Sequence, residues 1–569
     1  MKKIAIALLA LATTTQFRAQ DDNEFQRIAS RVMSSYENGN DSVRETHNNA
    51  HFTGRTYMGA STRGNAMPSA YFTLKSNKWL FTGDLSADLG RHNTWQEIDT
   101  RSVNGTSDYT ESKTEMRFEH VNASLRYDYK PRRYDIFSIG VLETFSHTNS
   151  EMNATKYAFD EAHKSLGEEY EEQLRDEKNT KVGGLLQYKR LIPAGGSFIA
   201  RANIRHFTQR TLLESEEWGE GDFDVKEHVT QRIHNFAPYI YLDYSSPTWH
   251  GFSLSANEKL SLSNLHIEDS YTQFNYDSRA ALTSLSLRHR SKKLTLAASA
   301  DYEHYHHLIH DGLNDDIRRS YNDWQTNLSA TYQVDKNHRL RANYRRSYQR
   351  PSYAELYPFV HIGRNIGVWV VGNPQLQPST THTWKLDYTY NSRHWTVTAI
   401  GEYSQKNNDI TRISLYDETL HRSVKTWVND ADYHTIRLAL EGEMRYGRFS
   451  MTMGAHAKYL TYNGERISGD EAWSYSFKAR PQLKLHNQWT LALTALYTGK
   501  EVHRYYYERP NTYISLRAVK EFGPWGIYAF VQDIFEGDRS NVTKNTDNTI
   551  LTTNHPNARS LIMGCSYTF

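Results

Sequence analysis

The sequence predicts an all-β protein, a transmembrane antiparallel β-barrel of about 22 strands, and three observations carry that expectation. Apolar and polar residues alternate over spans longer than a soluble strand requires. Short turn-forming clusters alternate with longer polar connections. Aromatic residues stand at both ends of several apolar faces, where amphipathic rings collect at membrane interfaces.

At the amino terminus, Lys2 and Lys3 precede an apolar run from Ile4 to Ala12 and a polar stretch ending near Ala19 and Gln20. That order reads as a signal peptide over 1–20, so the chain is expected to be exported. Within 21–50, Phe25, Ile28, Ala29, Val32, Met33 and Tyr36 recur at helical spacing and predict one amphipathic helix in a short periplasmic segment. The barrel is expected to occupy 51–569, with its first strand near His51 to Ala60.

Along that span the alternation is explicit. Leu294, Leu296, Ala298, Ala300 and Tyr302 interleave with Lys293, Thr295, Ala297, Ser299 and Asp301. Phe198, Ala200, Ala202 and Ile204 alternate with Arg201, Asn203 and Arg205, with Ile199 the one exception. Two further faces begin and end on an aromatic, Trp395 to Tyr403 and Trp489 to Tyr497. One face of each suits lipid and the other a wet lumen.

Ten tight turns are expected, at Ser76 to Lys78, Lys130 to Arg132, Pro193 to Gly196, Ser245 to Thr248, Arg290 to Lys293, Asp335 to His338, Asn391 to His394, Tyr446 to Arg448, His486 to Gln488 and Phe522 to Pro524. Trp79, Trp249, Trp395, Trp489 and Trp525 each follow one of them, which places all five at one membrane face. Eleven other connections alternate with the turns, near 59–68, 89–111, 149–178, 213–226, 270, 310–319, 351–379, 414–422, 463–471, 508 and 537–556. Ten turns and eleven loops require 22 strands and leave both termini on the turn side, the periplasm of bacterial barrels.

Composition agrees. Mean hydropathy is −0.75, and beyond the leader no stretch has the roughly 18 consecutive apolar residues of a membrane helix. The 39 tyrosines and 12 tryptophans suit two interfacial girdles. Cys565 is the only cysteine, which excludes a disulfide within one chain and a lipid-bearing cysteine near the leader. A net charge of +2 gives no reason to expect nucleic acid as a partner.

The closing run, in which Leu561, Met563, Cys565, Tyr567 and Phe569 alternate with Ile562, Gly564, Ser566 and Thr568, resembles the assembly signal of outer-membrane barrels. The resemblance implies a Gram-negative outer membrane, its lipid and the barrel-assembly machinery as partners, with Tyr567 and Phe569 as the signal. A second resemblance spans the last 230 or so residues. RRSYQRPSYAELYPF from Arg345 and GNPQLQPSTTHTWKLDYTY from Gly372, followed by NNDITRI, resemble the barrel of TonB-dependent outer-membrane receptors. The positions that carry it are Arg350, Pro351, Glu355, Leu356, Gly372, Asn373, Pro374, Leu376 and Pro378, with VQDIF from Val531 matching a family motif that has asparagine where Asp533 stands. These residues are expected to fix the path of a long extracellular loop.

Such receptors carry a plug of more than 100 residues and a TonB box ahead of the barrel. Neither is recognisable in the 30 or so residues between leader and first strand. A plug-less receptor-like barrel is therefore expected, serving as a passive channel or as an accessory subunit of a nutrient-uptake assembly, with a plug-supplying or lid protein as a further partner. A scaffold or adhesin-type barrel is the alternative.

Candidate ligand residues are His304, His306 and His310 with Asp311, all in EHYHHLIHD, and His361 between the two motif blocks. Tyr505, Tyr506 and Tyr507 could stack on a sugar or peptide. Glu168, Glu169, Glu171 and Glu172 around Tyr170 sit in what reads as a helical loop able to draw calcium or a cationic ligand. Interfacial or solvated roles explain each of these groups more simply, so no cofactor and no metal is expected. No Gly-x-Ser-x-Gly or His-Glu-x-x-His motif is present, and the expectation is that the protein is not an enzyme.

Overall fold

The computed structural model describes residues 51–569 except 63, 103–104, 194, 220–222, 271–272, 311–315, 357–360, 363–368, 418–421, 465–471, 503–505, 536–538, 545–547 and 557–558. The expected leader and the helix of 21–50 lie outside the described residues.

Twenty-two strands form one closed antiparallel ring. They are β1 (His51–Ser61), β2 (Ala66–Lys75), β3 (Trp79–Ser102), β4 (Ser107–Arg132), β5 (Asp135–Phe159), β6 (Ser165–Ile192) and β7 (Gly196–Gly219). Next come β8, in two segments (Phe223–Phe236 and Tyr239–Ser245), β9 (Phe252–Asp269), β10 (Gln273–Arg290), β11 (Leu294–His310), β12 (Ile317–Gln333) and β13 (His338–Gln349). The ring continues through β14 (Ser379–Asn391), β15 (Trp395–Asp417), β16 (Arg422–Tyr446), β17 (Phe449–Gly464), β18 (Ala472–Lys484) and β19 (Trp489–Thr498). It ends with β20 (Asn511–Phe522), β21 (Trp525–Gln532) and β22 (Ser560–Thr568). The break in β8 falls at Ala237 and Pro238, where Pro238 cannot donate to the ladder. Its carbonyl still accepts from Leu262 N at 3.0 Å.

The ten expected turns join alternate pairs of strands, and four of the five tryptophans open a strand just after one. At the other end of the apolar band stand ring pairs such as Tyr302–Trp324 at 4.8 Å, Trp384–Tyr403 at 5.5 Å and Tyr459–Trp473 at 5.1 Å. Between these girdles the outward positions are exposed aliphatics, among them Leu285, Leu287, Leu296, Leu328, Leu386 and Leu438. Lipid covers such a face, so its exposure costs nothing in place.

Closure depends on the β1–β22 seam, which pairs Arg55 with Thr568 through Ser61 with Ile562. Gly54 N donates to Phe569 O and Phe569 N donates to Gly54 O, each at 2.9 Å. The Phe569 ring stacks on Phe52 at 5.0 Å. Inside the barrel Tyr528 stacks on Tyr57 at 4.9 Å and lies across Gly59 and Gly564. A Cβ on Gly564 would collide with the Tyr528 hydroxyl and with the Met58 carbonyl, so glycine is required for close approach.

The sequence reading of 89–111, 149–178 and 213–226 as loops is corrected. These segments are the far ends of β3–β8, which run to 28 residues in β6, or about 90 Å along the strand, and leave turns of only a few residues. The acidic helix expected in 149–178 is likewise a β-hairpin. Its Glu and Lys residues favour helix locally, but in extended form they pair across strands. Lys156 Nζ lies 2.8 Å from Glu169 Oε2 and His147 Nε2 2.6 Å from Asp176 Oδ1, while Tyr170 stacks on Trp218 at 6.0 Å. Asp160 Oδ1 closes the turn by accepting from Ala162 N at 2.9 Å and Lys164 N at 2.8 Å.

In this protrusion, well beyond the apolar band, Glu171 stands directly opposite Glu217. Burial, and then the Glu217 charge, push the Glu171 carboxyl up to about 7. A carboxyl raised in the folded state favours the protonated form. Its favourable contribution is therefore present at low pH and is lost as pH rises through about 7. Amide exchange in the β6–β7 hairpin should accelerate between about pH 4.5 and 7 beyond its intrinsic pH dependence, and Glu171→Gln should flatten that excess. At the seam, Gly564→Val should destabilise the barrel by about 1–3 kcal/mol, read as a lower temperature for loss of the heat-modifiable compact band.

Candidate functional site at the mouth of the barrel

Strand alternation divides each wall residue between lipid and lumen. On β11 the outward set continues from Leu296 through Tyr302 to His304, His306 and His310, whereas Glu303, Tyr305, His307 and Ile309 point inward. The inward set meets the connection between β13 and β14. That connection bends back into the outer mouth instead of standing above it.

The bend is built by the motif residues. Arg350 places its guanidinium 3.7 Å from the Tyr305 ring centroid and its Nε 3.3 Å from Glu303 Oε2. Tyr348 also hydrogen-bonds Glu303. Pro351 is buried, and one helical turn follows over Tyr353–Leu356. Ser352 N donates to Glu355 Oε2 at 2.6 Å, and Glu355 N and Leu356 N return to Ser352 O at 3.2 Å. The carboxylate thus caps the turn, as in a capping box.

The second motif closes the loop. Asn373 N donates to Glu355 O at 2.6 Å, while the Asn373 side chain donates to Trp427 O at 3.0 Å and accepts from Gln375 N at 2.9 Å. Asn429 completes Gln377 as a strand neighbour would, accepting from its N at 2.8 Å and donating to its O at 3.0 Å. Asn408 Nδ2 reaches Pro378 O at 3.3 Å. Gly372 is buried and Pro374 half-buried beside these contacts. Two leucines anchor the fold, Leu356 at 0% and Leu376 at 1% exposure. They pack in one apolar cluster with Ile233, Leu265, Ile267, Phe274, Tyr276 and Ile309 from the inner wall.

Against Tyr276 of this cluster lies a residue that the sequence reading did not single out. His307 is fully buried, ringed by Tyr276, Tyr321 and Tyr305 at 5.4, 5.7 and 5.8 Å, and neither ring nitrogen has a hydrogen-bond partner among the described residues. Tyr276 and Tyr305 hydroxyls bond each other at 2.5 Å. Parity on β11 marks His307 as inward, but only the infolded loop makes it buried.

The histidines that were singled out do not converge. His304 bonds Asn322 at 2.7 Å, His306 bonds Ser320 at 2.9 Å and His310 bonds Asp316 at 2.6 Å, each across its own strand boundary on the outer face. Asp311 lies outside the described residues. His361 is in a two-residue strand paired with Val370. Tyr505 lies outside the described residues, Tyr506 is paired through its backbone with Thr543, and Lys500 Nζ sits 4.1 Å over the Tyr507 ring. Among the described residues no group of three metal-ligating side chains could hold an ion. Tyr567 and Phe569, the expected assembly signal, stack at 6.2 Å on the lipid side of the seam, and Tyr567 meets Trp525 at 4.7 Å. Asp533, in the place of the family asparagine, has φ of 47°, a left-handed conformation that Asn and Asp tolerate best among side-chain-bearing residues.

A closed 22-strand barrel with interfacial girdles, short turns at one end and a motif loop tucked into the other is a bacterial outer-membrane β-barrel. The chain belongs to the Outer membrane protein beta-barrel family, whose model matches residues 242–569, more than half of it. Among solved structures the fold is similar to the copper transporter OprC, with 10% identity, a TM-score of 0.66, and coverage of 92% of this chain and 81% of that one. It is also similar to the ferripyoverdine receptor of Pseudomonas aeruginosa, with 10% identity, a TM-score of 0.63, and coverage of 92% and 73%. The ferric-catecholate import receptor Fiu of E. coli K12 gives 10% identity, 0.63, and coverage of 92% and 82%. No curated protein matches the sequence. The protein lies in the outer membrane of a Gram-negative bacterium.

Leu376→Ala should cost the loop anchor about 2–5 kcal/mol and free the β13–β14 connection. The measurement is limited proteolysis of the barrel in detergent, with cleavage between Arg350 and Ser379 expected in the variant and absent in the parent.

Proposed function

We propose that this barrel carries solutes across the outer membrane without a plug domain of its own, as a passive channel or as the wall-forming subunit of a nutrient-uptake assembly. The observation that carries the reading is the mouth loop. It folds from the wall into the lumen and is anchored there by Leu356 and Leu376 without forming a separate domain. Resemblance to solved receptors and transporters over 92% of this chain supports a transport role. The chain covers 73–82% of those proteins, so part of each has no counterpart in the described barrel. Barrels of this girth hold an aqueous channel or a plugged lumen, and side chains alone do not fill them. Neither an enzymatic site nor a cofactor enters this reading.

A scaffold role is favoured by one feature, the protruding sheet of β3–β7, which offers a partner protein a broad rigid surface. Single-channel recording in a planar bilayer separates the two. The full-length barrel should conduct steadily, and joint Leu356→Ala and Leu376→Ala substitution should raise the conductance by widening the mouth. Silence in both proteins favours the scaffold, and a TonB cross-link to the native protein would count against passive transport.

A further inference from the structure

The lumen wall carries an excess of positive charge that the whole-chain balance of 67 Lys and Arg against 65 Asp and Glu conceals. Outward-facing Trp473, Tyr475 and Phe477 on β18, Leu516 on β20 and Leu340 on β13 are exposed to lipid. Alternation then puts Lys478, Arg480, Arg517, Arg341 and Arg345 on the inner face. None of these five makes an ion pair or side-chain hydrogen bond among the described residues. All stand within seven residues of the periplasmic strand ends Lys484, Phe522 and His338, so they form a belt within about 18 Å of that rim.

Inward carboxylates are largely neutralised. Asp128 is 2.8 Å from Arg126, Asp387 is 3.1 Å from Lys385, Asp323 is 2.8 Å from Arg346 and Glu303 is 3.3 Å from Arg350. Asp243, Asp301, Glu441 and Glu521 face inward without such a base, but Lys189 and Arg288 add to the unpaired cations. β17, β18 and β19 contain no Asp or Glu in their described residues, while His456 and Lys458 point inward beside Lys478. Cross-strand Arg437 and Lys458 even stand directly opposite each other, tempered by Glu402 at 4.0 Å and Glu501 at 3.3 Å. Charged rings of one sign on a low-dielectric wall concentrate the opposite ion and exclude the like one.

We infer that the lumen selects for small anionic solutes, those bearing carboxylate or phosphate, over cations, an inference that rests on the channel reading above. The test is the reversal potential of the full-length barrel in a planar bilayer under a KCl gradient. Chloride should permeate about threefold better than potassium, more so at low salt, where screening is weak. Lys478→Gln with Arg480→Gln and Arg517→Gln should bring the ratio to about one, and Arg341→Gln with Arg345→Gln should lower it partway. These side chains make no ion pair or side-chain hydrogen bond among the described residues, so the variants are expected to retain the compact heat-modifiable form. A preference for potassium, or a ratio unchanged in both variants, overturns the inference. If the barrel does not conduct, the channel reading fails while the charge inference is still decided by equilibrium dialysis of inorganic tripolyphosphate against the detergent-solubilised protein. Binding weakened at least about fivefold in the variants supports a basic lumen, and equal binding by parent and variants overturns it.

Discussion

Every backbone N–H and C=O that crosses the apolar band must find its partner within the protein, because lipid offers none. An open sheet would leave two unpaired edges in hydrocarbon, so the whole architecture hangs on the ladder between β1 and β22. The chain places there two glycines beneath one tyrosine ring, a pair of reciprocal bonds between Gly54 and Phe569, and an aromatic stack at the terminus. A side chain at either glycine would displace the tyrosine ring, and one at Gly564 would also press on the Met58 carbonyl of the first strand. Closure therefore constrains small residues as strongly as the lipid face constrains large ones.

Closure also imposes strict alternation, since a one-residue slip would turn a lipid-facing leucine into the lumen and a lysine into the bilayer. That rule makes the wall two proteins in one sequence. The outer surface is aliphatic with aromatic rims. The inner surface is polar and, near the periplasmic rim, basic. Above the membrane the rule continues without lipid, which is why β3–β7 extend so far: cross-strand ion pairs such as Lys156–Glu169 and stacks such as Tyr170–Trp218 replace the hydrophobic face.

At the mouth, the same strands serve a different purpose. Their inward residues switch from polar to apolar around Ile233, Leu265, Phe274 and Ile309, creating a local core that an open tube has no need of. Leu356 and Leu376 fill it, and asparagines at 373, 408 and 429 satisfy the loop backbone that burial would otherwise strand. The motif that resembles receptor barrels is thus a docking device, with its prolines and glycine shaping the path and its leucines supplying the anchor.

Much of this was legible beforehand. Alternation around Leu294 to Tyr302, the turn clusters and the tryptophans that follow them determined the class and the strand number, because period-two patterning and turn chemistry are local properties. The length of the protrusion was not legible, since Glu- and Lys-rich segments favour helix in isolation and only a neighbouring strand makes extension preferable. His307 was overlooked beside His304 and His306 because its burial comes from a loop some fifty residues later in the chain. Nor did a net charge of +2 disclose the lumen, for composition sums both faces of the wall. The sequence by itself determined that this chain closes into a membrane barrel. Only the tertiary structure decided which charges share the lumen and what stands in its mouth, because those depend on register and on contacts between residues distant in sequence.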